Sequence, residues 1–596
     1  MLKRFFVSFM GSMAAIWASV ILFGILFFLT IGVALSGMDT STPVKINDKS
    51  ILYLDLSGTI DERVTTPKIA ELIYGSQPDI QGLNEITGAI RRAASDDRIS
   101  GIYINCAGSA AGVATRQSIV ESLRAFQQSG KWVISYADNY SQGDYYVASV
   151  ADSMFINPQG SVDIHGLAST TIFFTGLLDK LGVKMQVLKV GTFKSAVEPF
   201  ILKEMSPASR MQQEVYLNSI WGVLADQIAE NRNVEPADVN RWADSLIVTE
   251  AAYSYIKADV VDALYYRHEV ESRLKSLTDT KDKDDLPLVS IADYCKAVNV
   301  LDPSYMPGVK KDRDHTIAIL YATGDIVDSG EGDCIAASEM VPLIFDLAEK
   351  EEIDGMILRV NSGGGSAYAS EQIWEALKRF KEKGKKLYVS MGDMAASGGY
   401  YISCGADRIY AQPTTLTGSI GIFGLIPCAE ELLTDKLSLG FGTVQTNANG
   451  DFLSLSKPMT TAQRAKMQQM INRGYETFVG RCAEGRDMPV DSIKAIAEGR
   501  VWDGLAALRL HLVDDLKPLH GVIADMAADL ELSGYNIAEY PRIHKKWWEE
   551  ALALEGTIKE RIVRQQLGDA YEFYKAVETV KTMDPLQCRM ETIVIE

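Results

Sequence analysis

Two stretches decide the fold when set side by side: ISGIYINCAGS (99–109) and IDGMILRVNSGGGS (353–366). Each is an apolar run that stops at an asparagine, Asn105 or Asn361, and enters a loop of small residues. The match extends both ways at a spacing of about 255 residues. Upstream, SILYLDLSGTID (50–61) parallels TIAILYATGDIV (316–327), and downstream a helical stretch at about 115–129 or 367–384 leads into the strands KWVISY and KLYVSM. YYVASVAD (145–152) and YYISCGAD (400–407) align residue for residue, and Pro158 answers Pro413. Further on, SLIVTEAAYSYIKADVVDAL (245–264) echoes GRVWDGLAALRLHLVDDL (499–516).

Strand, tight loop, helix and strand in repeated succession predict an α/β fold with largely parallel strands, because parallel neighbours need a crossover and helices supply it. The chain therefore reads as a tandem duplication. The first copy is expected over 49–301, a Pro- and charge-rich linker over 302–314, the second copy over 315–535, and a helical extension over 536–596. Within that extension, 545–581 has the spacing of an amphipathic helix.

Composition limits the function. The chain has 596 residues, 47% apolar and 23% charged, which is ordinary globular usage and enough for several folding units at roughly 150 residues each. A net charge of −19 gives no support to a nucleic-acid-binding surface. The seven cysteines include no C-x-x-C pair and the six histidines no H-x-x-x-H pair, so neither a metal nor another cofactor is expected. Cys106, Cys404 and Cys428 read as small buried hydrophobes.

From Phe5 to Met38 no residue is charged, and Lys3 and Arg4 precede the run. Its length exceeds the ~20 residues that span a bilayer and the ~7–15 of a signal-peptide core, so residues 1–38 are read as a retained single-pass anchor rather than a cleaved leader. The positive-inside rule then puts the folded domains on the outer side of the cytoplasmic membrane.

The copies disagree where chemistry would sit. GDMAASGGYY in the second copy faces YADNYSQGDYY in the first, so Ser397 answers Gln142 and Gly399 answers Asp144. A hydroxyl followed by two glycines at a strand-to-helix turn offers a nucleophile and backbone N–H groups for a developing oxyanion. Gly398, and Gly365 from the NSGGGS loop, are the expected donors. None of the histidines lies in a loop of catalytic pattern, which leaves lysine as the base. KVGTFKSAVEPF (189–200) carries Lys194 among apolar neighbours, whereas the matching QTNANGDF (445–452) has no lysine. To accept a proton near neutrality Lys194 needs a pKa lowered from about 10.4 to roughly 7–8, which burial achieves. One copy thus holds the hydroxyl and the other the amine, so the site is expected where the copies meet, within a chain or between chains.

These segments, GTFKSAVEPF, RVNSGGGSAYASE, MGDMAASGGYYIS and TGSIGIFG, resemble the signal peptide peptidase A family, also called protease IV, in its long duplicated form. The resemblance implies a Clp/crotonase-like fold in each copy and cleavage of signal peptides and similar apolar peptides. It implies Ser397 as nucleophile, Lys194 as general base, Gly398 and Gly365 as oxyanion donors, and Ser419 as the hydroxyl that orients the lysine. It also implies a homotetrameric bowl whose apolar cavity faces the membrane. Gly363 departs from the family, which has proline there, and Ser419 has a counterpart, Ser161, in the first copy. Two other classes compete: a crotonase-like acyl-CoA enzyme and a catalytically silent membrane scaffold.

Overall fold

The protein is described by a computed structural model covering residues 44–64, 80–305, 309–542 apart from 313, 331 and 333, and 586–590, with parts of 9–26. The expected anchor and the expected helix over 545–581 fall largely or wholly outside these residues. Among the described residues no helix is long and apolar enough to cross a membrane.

Both copies build the same parallel sheet. In the first, Ser50–Asp61, Ile99–Ala110, Trp132–Ala137, Ser153–Ile156 and Ala263–Leu264 lie side by side in that order. In the second, Thr316–Thr323, Ile353–Ser362, Lys386–Ala396, Arg408–Ala411 and Asp515–Leu516 repeat it. Strands such as TIAILYAT are buried on both faces because crossover helices cover the sheet, as in other parallel α/β layers. The matched residues do matched work. Asp262 accepts from the Met154 N–H at 2.6 Å, and Asp514 from the Ile409 N–H at 2.7 Å. Tyr145 donates to the Val260 carbonyl and Tyr400 to the Leu512 carbonyl, at 2.8 and 2.9 Å.

The helices expected at about 115–129 and 367–384 span Val113–Gln127 and Ala367–Glu382. Two 26-residue helices, Pro207–Arg232 and Thr461–Arg486, were not anticipated from the repeat. The extension also differs from expectation. Residues 536–596 are not helical throughout: Asn536–Tyr540 adds a parallel strand beside Thr316–Thr323, and Gln587–Arg589 joins a third sheet. Both segments are short and rest on strand edges that were already open, so local periodicity could not announce them.

That third sheet ties the copies together. Its order is Cys334–Ala336, Asp325–Val327, Gly364–Ser366, Gln587–Arg589, Phe423–Cys428 and Lys184–Lys189, so a strand of the first copy closes a sheet built mostly by the second. Elsewhere the Glu62 carboxylate of the first copy holds Arg359 of the second, with Nε–Oε2 3.0 Å and Nη2–Oε1 2.9 Å. Both side chains are buried. Glu62→Ala leaves the guanidinium buried with only Ser390 Oγ and the Met391 carbonyl as named partners, and is expected to destabilise by about 3–5 kcal/mol. Urea unfolding with an unchanged m-value is the measurement; a loss under 1 kcal/mol would show that the pair does not hold the copies together.

Candidate active site

The Lys184–Lys189 strand pairs antiparallel with Phe423–Cys428 and so delivers the turn that follows it to the second copy. Val190 N–H bonds the Ile422 carbonyl at 3.2 Å and Phe193 N–H the Glu498 carbonyl at 3.0 Å, which aims Lys194 inward. Lys194 Nζ lies 2.8 Å from Ser397 Oγ, 3.0 Å from Ser419 Oγ and 3.1 Å from the Ser419 carbonyl. The three residues are 1%, 0% and 2% exposed respectively. The structure therefore brings the hydroxyl and the amine together within one chain. These three oxygen partners are uncharged, and burial disfavours the ammonium form.

Ser397 sits between the strand Lys386–Ala396 and the helix Gly398–Ser403 at φ 54°, ψ −112°. Few L-residues adopt this conformation, and such strain collects at sites where a side chain must be presented at a sharp turn. The Ser397 N–H bonds the Gly418 carbonyl and its carbonyl takes the Tyr401 N–H, both at 2.8 Å, which fix the turn. The helix has only six residues, so stabilisation of negative charge here rests on individual N–H groups rather than on a long helix dipole.

The NSGGGS loop crosses directly opposite. Gly364, at φ +100°, is the position where the backbones approach most closely: a Cβ there would lie 2.5 Å from the Gly398 nitrogen and 2.1 Å from the Cys588 carbonyl oxygen. Its own N–H is bound to Ser362 Oγ at 3.1 Å, and Ser362 in turn donates to the Gly324 carbonyl at 2.6 Å. The next residue, Gly365, pairs with Cys588 of the Gln587–Arg589 strand. The sequence alone did not point to Gly364, which makes the room, or to Ser362, which fixes the loop.

Ser419 and Ser161 do not share a role. Ser161 Oγ and N–H both bond Asn139 Oδ1 at 3.0 Å in the first copy, whereas Ser419 reaches the lysine. The first copy has filled its own version of the site. The Asp144 carboxylate accepts from the Gly108 and Ser109 N–H groups at 3.1 Å and is paired with Arg116 at 3.0 Å, while Gln142 bridges to the Gly166 carbonyl at 2.8 Å. A fixed anion thus occupies the loop N–H groups of the first copy, at the position where the second copy has Gly399. Ser419→Ala is expected to lower kcat about tenfold with little change in KM, because it removes an orienting contact on the amine rather than a substrate contact. Steady-state kinetics would expose the opposite split.

Cys106, Cys404 and Cys428 are buried free thiols, as expected. Cys588 is also buried, and its carbonyl oxygen is what reaches this site, 2.1 Å from where a Cβ on Gly364 would lie; its thiol donates to the Gly421 carbonyl at 3.6 Å, and burial pushes it up to about 11. No motif could have announced it.

Both halves of this arrangement lie in segments that match the model of peptidase family S49, residues 125–281 and 379–533, with Lys194 in the first and Ser397 in the second. The chain is 35% identical over 513 residues to Protease 4 of Salmonella typhi, covering 83% of this chain and 80% of that one. The chain belongs to peptidase family S49. It is a serine protease, and the acyl-CoA-enzyme and silent-scaffold readings fall. Protease 4 of Haemophilus influenzae is 32% identical over 489 residues, 79% of this chain and 77% of the relative. The chloroplastic serine protease SPPA of Arabidopsis thaliana is 27% identical, covering 80% and 69%. Among solved structures, a ClpP1 mutant from Listeria monocytogenes matches 34% of this peptidase and 94% of its own chain, at 15% identity and a TM-score of 0.24.

Proposed function

We propose that this S49 peptidase is a membrane-anchored endopeptidase that uses a Ser397–Lys194 dyad to hydrolyse apolar peptides, released signal peptides among them. The observation that carries the reading is the 2.8 Å contact between Lys194 Nζ and Ser397 Oγ in a buried site. A neutral amine has two N–H groups and one lone pair. The Ser419 carbonyl and hydroxyl take the two N–H groups, and the lone pair then accepts the Ser397 O–H, the proton that attack must remove. Gly398 and Gly365 N–H groups receive the oxyanion. Lys194 returns its proton to the leaving amine and then activates water against the acyl-enzyme.

The anchor rests on the uncharged run from Phe5 to Met38 and puts the catalytic domains outside the cytoplasmic membrane. The homotetramer has support from an exposed apolar arm that includes Leu437, Leu439, Phe441, Val444 and Leu455, surface that water does not favour leaving open. The domain limits proposed from the repeat are kept, with Asn536–Tyr540 moved into the second copy.

A fluorophosphonate probe tests the dyad. Labelling is expected at Ser397 and nowhere else. Its rate is expected to be low in acid, where Lys194 is protonated, to rise with pH as the amine loses its proton, and to level off above its pKa. A rate that stays flat from pH 5 to 9, or a label on another residue, sinks the reading.

A further inference from the structure

One side chain spans the seam between the copies behind the lysine. Gln212, on the helix Pro207–Arg232, is 1% exposed, so its amide meets protein rather than water. Its Nε2 donates to the Phe193 carbonyl at 3.2 Å and to Ser195 Oγ at 2.9 Å, the residues on either side of Lys194. Its Oε1 accepts the Val501 N–H of the second copy at 3.2 Å. A carbonyl only accepts and an N–H only donates, so the amide has one permitted orientation, and both its hydrogens are used. The start of its helix is fixed to the same turn: the Glu198 carboxylate takes the Ser206 N–H at 3.1 Å and the Ser206 hydroxyl at 2.7 Å. On the far side the contacts lead to the nucleophile. Val501 pairs antiparallel with Gly418, whose carbonyl holds the Ser397 N–H, and the Arg500 carbonyl takes the Ser419 N–H at 2.7 Å. One amide thus joins the turn that carries Lys194 to the strand that positions Ser397 and Ser419.

We infer that Gln212 is a positioning residue that sets the approach of Lys194 Nζ to Ser397 Oγ, an assignment that rests on the dyad proposed above. The amine stands on a flexible four-carbon stem, so it can hold 2.8 Å from one hydroxyl and 3.0 Å from another only if the backbone at its root is fixed. The packing there is already close: a Cβ on Gly499 would lie 2.7 Å from Lys194 Cβ and 2.8 Å from its nitrogen. Removing the amide takes both donors from the residues flanking Lys194 and the acceptor from the buried Val501 N–H, so the lysine turn and the Ser419 strand lose their common tie. Proton transfer from Ser397 depends on that alignment. Gln212 has no contact with Ser397, Gly398 or Gly365 among its named partners, so its effect passes through the lysine.

Kinetics and fluorophosphonate labelling of full-length variants decide it. Gln212→Leu is expected to lower kcat on an apolar peptide about tenfold with KM within about twofold of the parent, and to slow labelling at Ser397 without reducing the number of sites labelled per chain. Gln212→Asn keeps the amide but withdraws it by one methylene, and is expected to fall between Gln212→Leu and the parent. Gln213→Leu is the control on the same helix: Gln213 bonds Ser209 Oγ within that helix at 3.4 Å, and activity within about twofold of the parent is expected. Placed in a Lys194→Ala chain, Gln212→Leu is expected to slow labelling no further, because the group it positions is gone. A further loss in that chain, or fewer labelled sites at an unchanged rate, would mean that Gln212 serves folding alone and would overturn the assignment. Gln212→Leu labelled as fast as the parent overturns it too and leaves the dyad standing. A parent chain that takes no label at Ser397 overturns both.

Discussion

Ser397→Ala is expected to lower kcat/KM on an unstructured apolar peptide by at least ~10⁴-fold, and Lys194→Ala to lower it nearly as far, with the double variant no worse than either single one. In the proposed dyad the two groups act on the same proton. Without the hydroxyl nothing attacks, and without the amine the Ser397 proton has no acceptor in a pocket where both side chains are sealed from water. Lys194→Arg is expected to be as inactive as the alanine variant, because a guanidinium stays protonated and cannot act as the base. Titration of a fluorogenic peptide substrate against each variant measures this. Losses of the two single variants that multiplied in the double would mean that serine and lysine work independently, which the 2.8 Å contact does not allow.

Gly364→Ala is expected to reduce kcat by about 10²–10³-fold, the effect of losing an oxyanion donor, while the protein remains folded. Two penalties coincide at this residue. Its φ of +100° is one that L-residues rarely adopt, and the new methyl would stand 2.5 Å from the nitrogen of Gly398. Backbone on both sides has nowhere to yield, so the loop and the donor must separate. Gly363→Ala is the control one residue away. The nearest atom to a Cβ there is the Met394 sulfur at 3.2 Å, the end of a flexible side chain, and activity within about threefold of the parent is expected. If both variants behaved alike, the close approach at Gly364 would have no part in the chemistry.

The repeat, the parallel α/β class and the divided site were legible because each has a local signature. Apolar runs ending at Asn105 and Asn361 mark strands, and the matched 145–152 and 400–407 segments set the register of the copies. The exchange of Gln142 for Ser397 and the presence of Lys194 in one copy only reveal which half holds which group. The Asp144 plug explains in physical terms why the first copy can do no chemistry, and only its identity as a difference from Gly399 was visible beforehand.

What local pattern could not supply is distance between segments far apart in the chain. Whether Lys194 meets Ser397 in its own chain is settled by the antiparallel pairing of Lys184–Lys189 with Phe423–Cys428, a ladder of main-chain bonds that any pair of extended segments could form. The left-handed turn at Ser397, the spacing function of Gly364 and the entry of Cys588 into the groove depend in the same way on backbones converging in space. Side-chain types are written along the chain, and they determined which chemistry this protein could perform. Main-chain hydrogen bonds look alike whatever residues make them, so only the folded arrangement decided which serine, lysine and glycine would share one site.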